Sequence, residues 1–113
     1  MALLSVAHGT QTAVIDTEHA LSTQGSAGVY VLGVDTNAMT SGDIIQLKIS
    51  TQLLHDGTSN IAYQAIFANQ QSEPIKYSVP VPVDNQIIVS IQQADISGTA
   101  GTGRDFPWSL LKM

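Results

Sequence analysis

Hydrophobic and polar positions alternate with a period of two through most of this chain, the pattern of strands with one buried and one wet face. From Asp43 to Leu53, Ile45, Leu47, Ile49 and Leu53 fall on one face, against Gln46, Lys48, Ser50 and Gln52 on the other. Gln86 to Gln93 repeats the pattern, with Ile87, Val89 and Ile91 alternating against Ile88, Ser90 and Gln92. Asn60 to Ala68 sets Ile61, Tyr63, Ala65 and Phe67 on a common face. Ala27 to Asp35 is apolar on both faces, as expected of a central strand covered on both sides. Ile75 to Val83 alternates well, but Pro80 and Pro82 cannot donate to a ladder, so this segment is expected at a sheet edge or leaving it. Thr10 to Asp16 and Arg104 to Leu111 read as shorter strands.

Turn signals punctuate these runs. Asp56-Gly57 marks a hairpin between two long strands, and Asp84-Asn85 makes a tight link between two others. Ser22 to Gly28 and Ser97 to Gly103 read as small-residue loops, and Thr36 to Gly42 is the one place with room for a helical turn. Glu18-His19 reads as a surface pair or a turn. With no internal repeat and no linker, 113 residues make one all-β domain over 1–113. The expected architecture is a single β-sandwich of about seven to eight strands, for which jelly-roll connectivity is one option, with residues 1–9 as an N-terminal arm.

Charge alters this picture more than length does. Only 12% of residues are charged, about half the proportion usual in soluble domains, and the net charge is −5. Lys48, Lys76, Arg104 and Lys112 are too scattered to build the cationic patch that displaces counterions from phosphate, so neither nucleic acid nor an anionic membrane is an expected partner. Gln, Ser, Thr and Asn take the place of charge. Neutral polar surface costs less to desolvate, and interface cores are depleted in charge. The 43% hydrophobic content argues against disorder. The N-terminal apolar run is too short for a signal peptide, and no stretch reaches the length of a membrane span. The chain reads as soluble.

Candidate chemistry is sparse. With no cysteine there is neither a disulfide nor a thiolate metal site. His8, His19 and His55 stand at no metal-ligating spacing from one another. Asp35, Asn37 and Asp43 offer oxygen ligands without the spacing or terminal Glu of a calcium loop, and Asp35 reads better as a cap on the following turn. There is no Gly-x-Ser-x-Gly elbow, and the glycines from Gly98 to Gly103 lack the lysine and the helix of a phosphate loop. No catalytic, cofactor-binding or metal residue is assigned, and no enzyme activity is expected.

Association with other proteins is the reading that remains. The apolar chain ends supply its candidate anchors: Leu3, Leu4 and Val6 in the N-terminal segment, and Phe106 and Trp108 near the C-terminus. Phe106, Trp108 and Leu110 share a face that could dock on the domain's own core or on a neighbour.

Four segments together carry a resemblance: Glu18-His-Ala-Leu-Ser-Thr23, Ala27-Gly-Val-Tyr-Val-Leu-Gly-Val-Asp35, Gly42-Asp-Ile-Ile45 and Phe106-Pro-Trp-Ser-Leu-Leu111. They look like small virion proteins encoded in tailed-bacteriophage head modules. The resemblance implies a capsid cement, or decoration, protein that clamps subunits of the major capsid protein on the outside of the shell. It also implies a homo-oligomer, with a trimer favoured, made in the host cytoplasm and carried on the virion. The chain departs from that pattern in having no clear N-terminal arm beyond residues 1–9. A head–tail connector or tail-tube component is the alternative within virions, and a carbohydrate-binding β-sandwich the alternative outside them.

Overall fold

A computed structural model describes residues 3–54, 56–96 and 102–113. Nine strands among the described residues are divided between two antiparallel sheets: β1 (Leu4–Thr12), β2 (Glu18–Gln24), β3 (Gly28–Asp35), β4 (Asp43–Gln52), β5 (Asn60–Ala68), β6 (Ile75–Tyr77), β7 (Val81–Val83), β8 (Gln86–Asp95) and β9 (Asp105–Lys112). One sheet runs β1-β9-β3-β6, with β7 also on β3; the other runs β2-β8-β4-β5. Counting β6 and β7 as one interrupted strand gives eight strands, each successive pair crossing or turning as in a jelly roll. The expected all-β sandwich is the fold observed.

The alternating faces meet in the middle. Ile45, Leu47 and Ile49 of β4 and Ile87, Val89 and Ile91 of β8 are all buried, opposite Tyr30, Leu32 and Val34 of β3 and Phe106 and Leu110 of β9. Burying a side chain of this size contributes roughly 1.5–3 kcal/mol, so these side chains are what hold the two layers together. β3 is central, as its two-sided apolar pattern implies, although Val29 and Val31 on its outer face stay half-buried.

Several expectations are corrected. β1 begins at Leu4 and pairs along β9, so residues 4–9 are a strand and not a free arm. Glu18–Gln24 is strand β2, neither a turn nor part of a loop, and reaches its partner β8 through a bulge at Leu21. Thr36 to Gly42 forms two successive turns, closed by Met39 N–H to Thr36 O (3.0 Å) and Asp43 N–H to Thr40 O (3.1 Å), and no helix. Met39, apolar in a polar loop, plugs that end of the core.

Bulges and breaks account for three side chains that leave their expected face. On β5, Tyr63 pairs with Ile49 but Ile61 pairs with Ser50, so Ala62 is an extra residue and Ile61 turns outward. Between Tyr77 and Val81 the chain spends one residue more than β3 does between Gly33 and Tyr30. Ile75 and Tyr77 therefore face out while Val81 and Val83 face the core. Ser78 sits at the break, its N–H donating to Leu32 O (2.8 Å) and its Oγ accepting from Leu32 N–H (2.9 Å). Leu53 lies beyond the last β4 residue and is 80% exposed, not part of the core face. The glycine-rich loop expected over 97–103 falls largely outside the described residues.

Candidate functional site

Loops from both sheets gather at the end of the sandwich where β3 ends and β4 begins. There Asp43, almost wholly buried, accepts from Arg104 Nε (2.9 Å) and from Thr40 N–H (2.8 Å), while Arg104 Nη2 donates to Thr40 Oγ (2.9 Å). Gln93, also buried, accepts from Arg104 N–H (2.8 Å) and donates to Thr102 O (2.9 Å). Beside them a Cβ on Gly103 would stand 1.9 Å from Ala13 O, so only glycine fits so close to the chain just past β1. The sole arginine is thus committed to tying two loops to the β4 terminus. Asp35 Oδ1 caps its turn by accepting from Asn37 N–H (2.9 Å), the role expected of it.

The remaining buried polar side chains are partnered as well. Among the described residues no buried side-chain nitrogen or oxygen lacks a hydrogen bond, and no three His, Asp or Glu side chains converge on a point that could hold a metal. His19 Nε2 accepts from Val14 N–H (3.0 Å), which pins the β1–β2 connection. Glu18 accepts from Lys48 Nζ (2.8 Å) and Ser90 Oγ (2.7 Å) on the outer face of the second sheet. The hydrogen bonds from Lys48 and Ser90 hold its carboxyl below the usual carboxylate range, against a small opposing effect of burial.

The broad outer faces of the two sheets are nearly neutral. The ladder partners on the outer face of the β2-β8-β4-β5 sheet form rows: Glu18, Gln92, Gln46 and Ile66 in one, Ala20, Ser90, Lys48 and Gln64 in the next. The Glu18–Lys48 pair supplies the charge of that face. The outer face of the other sheet carries Val29, Val31, Leu111, Ile75, Tyr77 and Pro107, with Asp35 and Asp105 only at its loop end.

Three exposed apolar regions stand out. Leu3, Leu4 (66% exposed) and Val6 lie along the free edge of β1. Leu53, Leu54 and Ile61 line a groove of about 470 Å³ at the β4–β5 hairpin. Ile75, Tyr77, Pro107 and Leu111 line another of about 380 Å³, where the Tyr77 ring lies over Gly33. Of the candidate anchors, the structure keeps the N-terminal three on the surface together. It places the other two elsewhere: Phe106 is fully buried, and Trp108 packs against the core with its indole beneath Gly9. The grooves are not legible as sites in the sequence, because each rests on a bulge or strand end that turns a side chain out of its alternating pattern. Of the aromatic rings only Tyr77 is largely exposed, so no multi-ring stacking platform is present among the described residues.

No protein-family model and no curated protein sequence matches this chain. Solved structures do. The infectious bursal disease virus VP2 subviral particle superposes with a TM-score of 0.58 at 12% identity, and the same virus's Gx strain with 0.55 at 13%. Both likenesses cover 97% of this chain, which spans 31% of the longer chain it matches. At such identity the likeness is one of fold.

Proposed function

We propose that this chain is a structural protein of a virus particle, acting as a capsid cement that lies on the outside of a shell built from major capsid protein. The observation that carries the reading is the surface. Both broad faces of the sandwich are almost free of charge, while apolar side chains stand exposed at one sheet edge and in two grooves. A face built from Gln, Ser, Thr and aliphatic side chains loses little on desolvation and suits broad, low-strength contact with other proteins. Many such contacts, repeated over a symmetric shell, add through avidity. The fold supports the reading by analogy, since its neighbours are viral capsid proteins. A net charge of −5 agrees with a position away from packaged nucleic acid. Leu3, Leu4 and Val6, held along β1, are the contact residues this reading favours.

The test is co-sedimentation of the purified chain with capsids of the virus that encodes it, followed by thermal rupture of those capsids. Saturable binding at a fixed number of chains per shell, with rupture moved to higher temperature, is the expected result. Capsids that pellet without the chain over the same concentrations would refute the proposal.

A further inference from the structure

We propose that β5 is a homotypic docking edge: two copies of this chain pair their β5 strands antiparallel about a twofold axis, continuing one four-stranded sheet into the other. An edge strand leaves alternate N–H and C=O groups unpaired, and folded proteins guard such edges with charge, proline, bulges or short length. The other edges of this sandwich carry those guards. β2 holds Glu18 and a bulge at Leu21, while the interrupted β6–β7 edge holds Lys76, Pro80 and Pro82. β1 is bent by a bulge at Val6 and weakened by Gly9. β5 is nine residues long, contains no charge, proline or glycine, and pairs with β4 alone. Its bulge at Ala62 lies near one end, leaving Tyr63–Ala68 regular.

The choice of occupant rests on the same residues. A row of unpaired backbone groups is satisfied by extended backbone, not by a side-chain surface. A chain of net charge −5 repels its own copies, so they can meet only where acids are absent. Strands β5, β6 and β7 contain no Asp or Glu, and their one cation, Lys76, is held over the Phe67 ring at 4.9 Å. A twofold axis sets residue i opposite j and j opposite i, so a strand without charge never faces a like charge in its twin. Gln64, carrying both donor and acceptor, can pair with itself near such an axis, and Ile66, now 64% exposed, gains cover beside it. The inference stands apart from the capsid reading, and it replaces the threefold assembly that the phage resemblance implies with a dimer.

The experiment is sedimentation velocity on the full chain over a wide concentration range, with Gln64→Lys and Thr10→Lys beside it. Gln64 and Thr10 both lie on exposed edge strands, β5 and β1. The expected result is a species of twice the 11.9 kDa chain mass, reduced to a single chain by Gln64→Lys and unaffected by Thr10→Lys. Because the chain has no cysteine, Gln64→Cys provides a second readout: oxidation should give one covalent dimer, since facing Cβ atoms in a strand pair stand within disulfide reach. A wild-type monomer, a trimer mass, a dimer that survives Gln64→Lys, or a dimer lost through Thr10→Lys would each overturn the proposal.

Discussion

Leu47 stands opposite Ile91 on β8 and Ala65 on β5, wholly buried at the centre of the sandwich. Truncating it removes apolar contact and leaves a space that two hydrogen-bonded sheets cannot easily close. Leu47→Ala is expected to lower stability by roughly 2–5 kcal/mol in chemical denaturation; a loss below about 1 kcal/mol would contradict that central placement. Glu18 makes a different prediction. Its carboxyl pKa lies below that of the unfolded chain because Lys48 and Ser90 hydrogen-bond the charged form. The folded state therefore gains from that carboxylate at neutral pH and loses the gain as pH falls through the carboxylate range. The side chain is 43% exposed, so the effect is small. Denaturation midpoints measured from neutral to acid pH should fall less steeply in Glu18→Gln than in the parent chain. Equal slopes would show that the pair does not favour the folded state.

At the scale of elements, alternation is legible wherever a strand is straight and has one wet face. β4 and β8 need nothing more than their Ile, Leu and Val positions, and β3 declares its central place through apolar residues on both sides. Pattern and structure part where the ladder gains a residue. Leu21, Ala62 and the Ser78–Pro80 break each change which face the next residues occupy, and no local sequence feature marks the shift except the prolines. The N-terminal half of β1 does not read as a strand because its alternation is broken at Val6 and its apolar Leu4 and Val6 are exposed. The candidate anchors divide accordingly. Trp108 and Phe106 lie on the regular strand β9 and pack inward, whereas the exposed grooves depend on irregularities that only the assembled sheets reveal. Because β1 is laddered to β9, deleting residues 2–7 should strip half of an edge strand instead of a free arm. Thermal unfolding should move to lower temperature while β-sheet circular dichroism persists. An unchanged midpoint would show that this half of β1 contributes nothing to the fold.

For the molecule as a whole, the acids gather toward one end. Six of the acids, Asp16, Asp35, Asp43, Glu73, Asp95 and Asp105, sit in or beside the loops at the end of the sandwich where β4 begins, with Arg104 against Asp43. The far end holds Leu53, Leu54 and the start of β1, with Asp56 and Asp84 in the turns beside them. Between the two ends the broad faces are left nearly free of charge. At that far end Leu4 and Lys112 are ladder partners, so the two ends of the described fold lie side by side, about one strand spacing apart. Chain order and spatial order are thereby uncoupled: a short linker could close the backbone into a ring, and the ring could be reopened at the β4–β5 hairpin without breaking a strand. The same adjacency would let the unit be carried as an insertion, grafted through both ends into a single surface loop of a host protein, whose own strands need part by no more than the width of a hairpin.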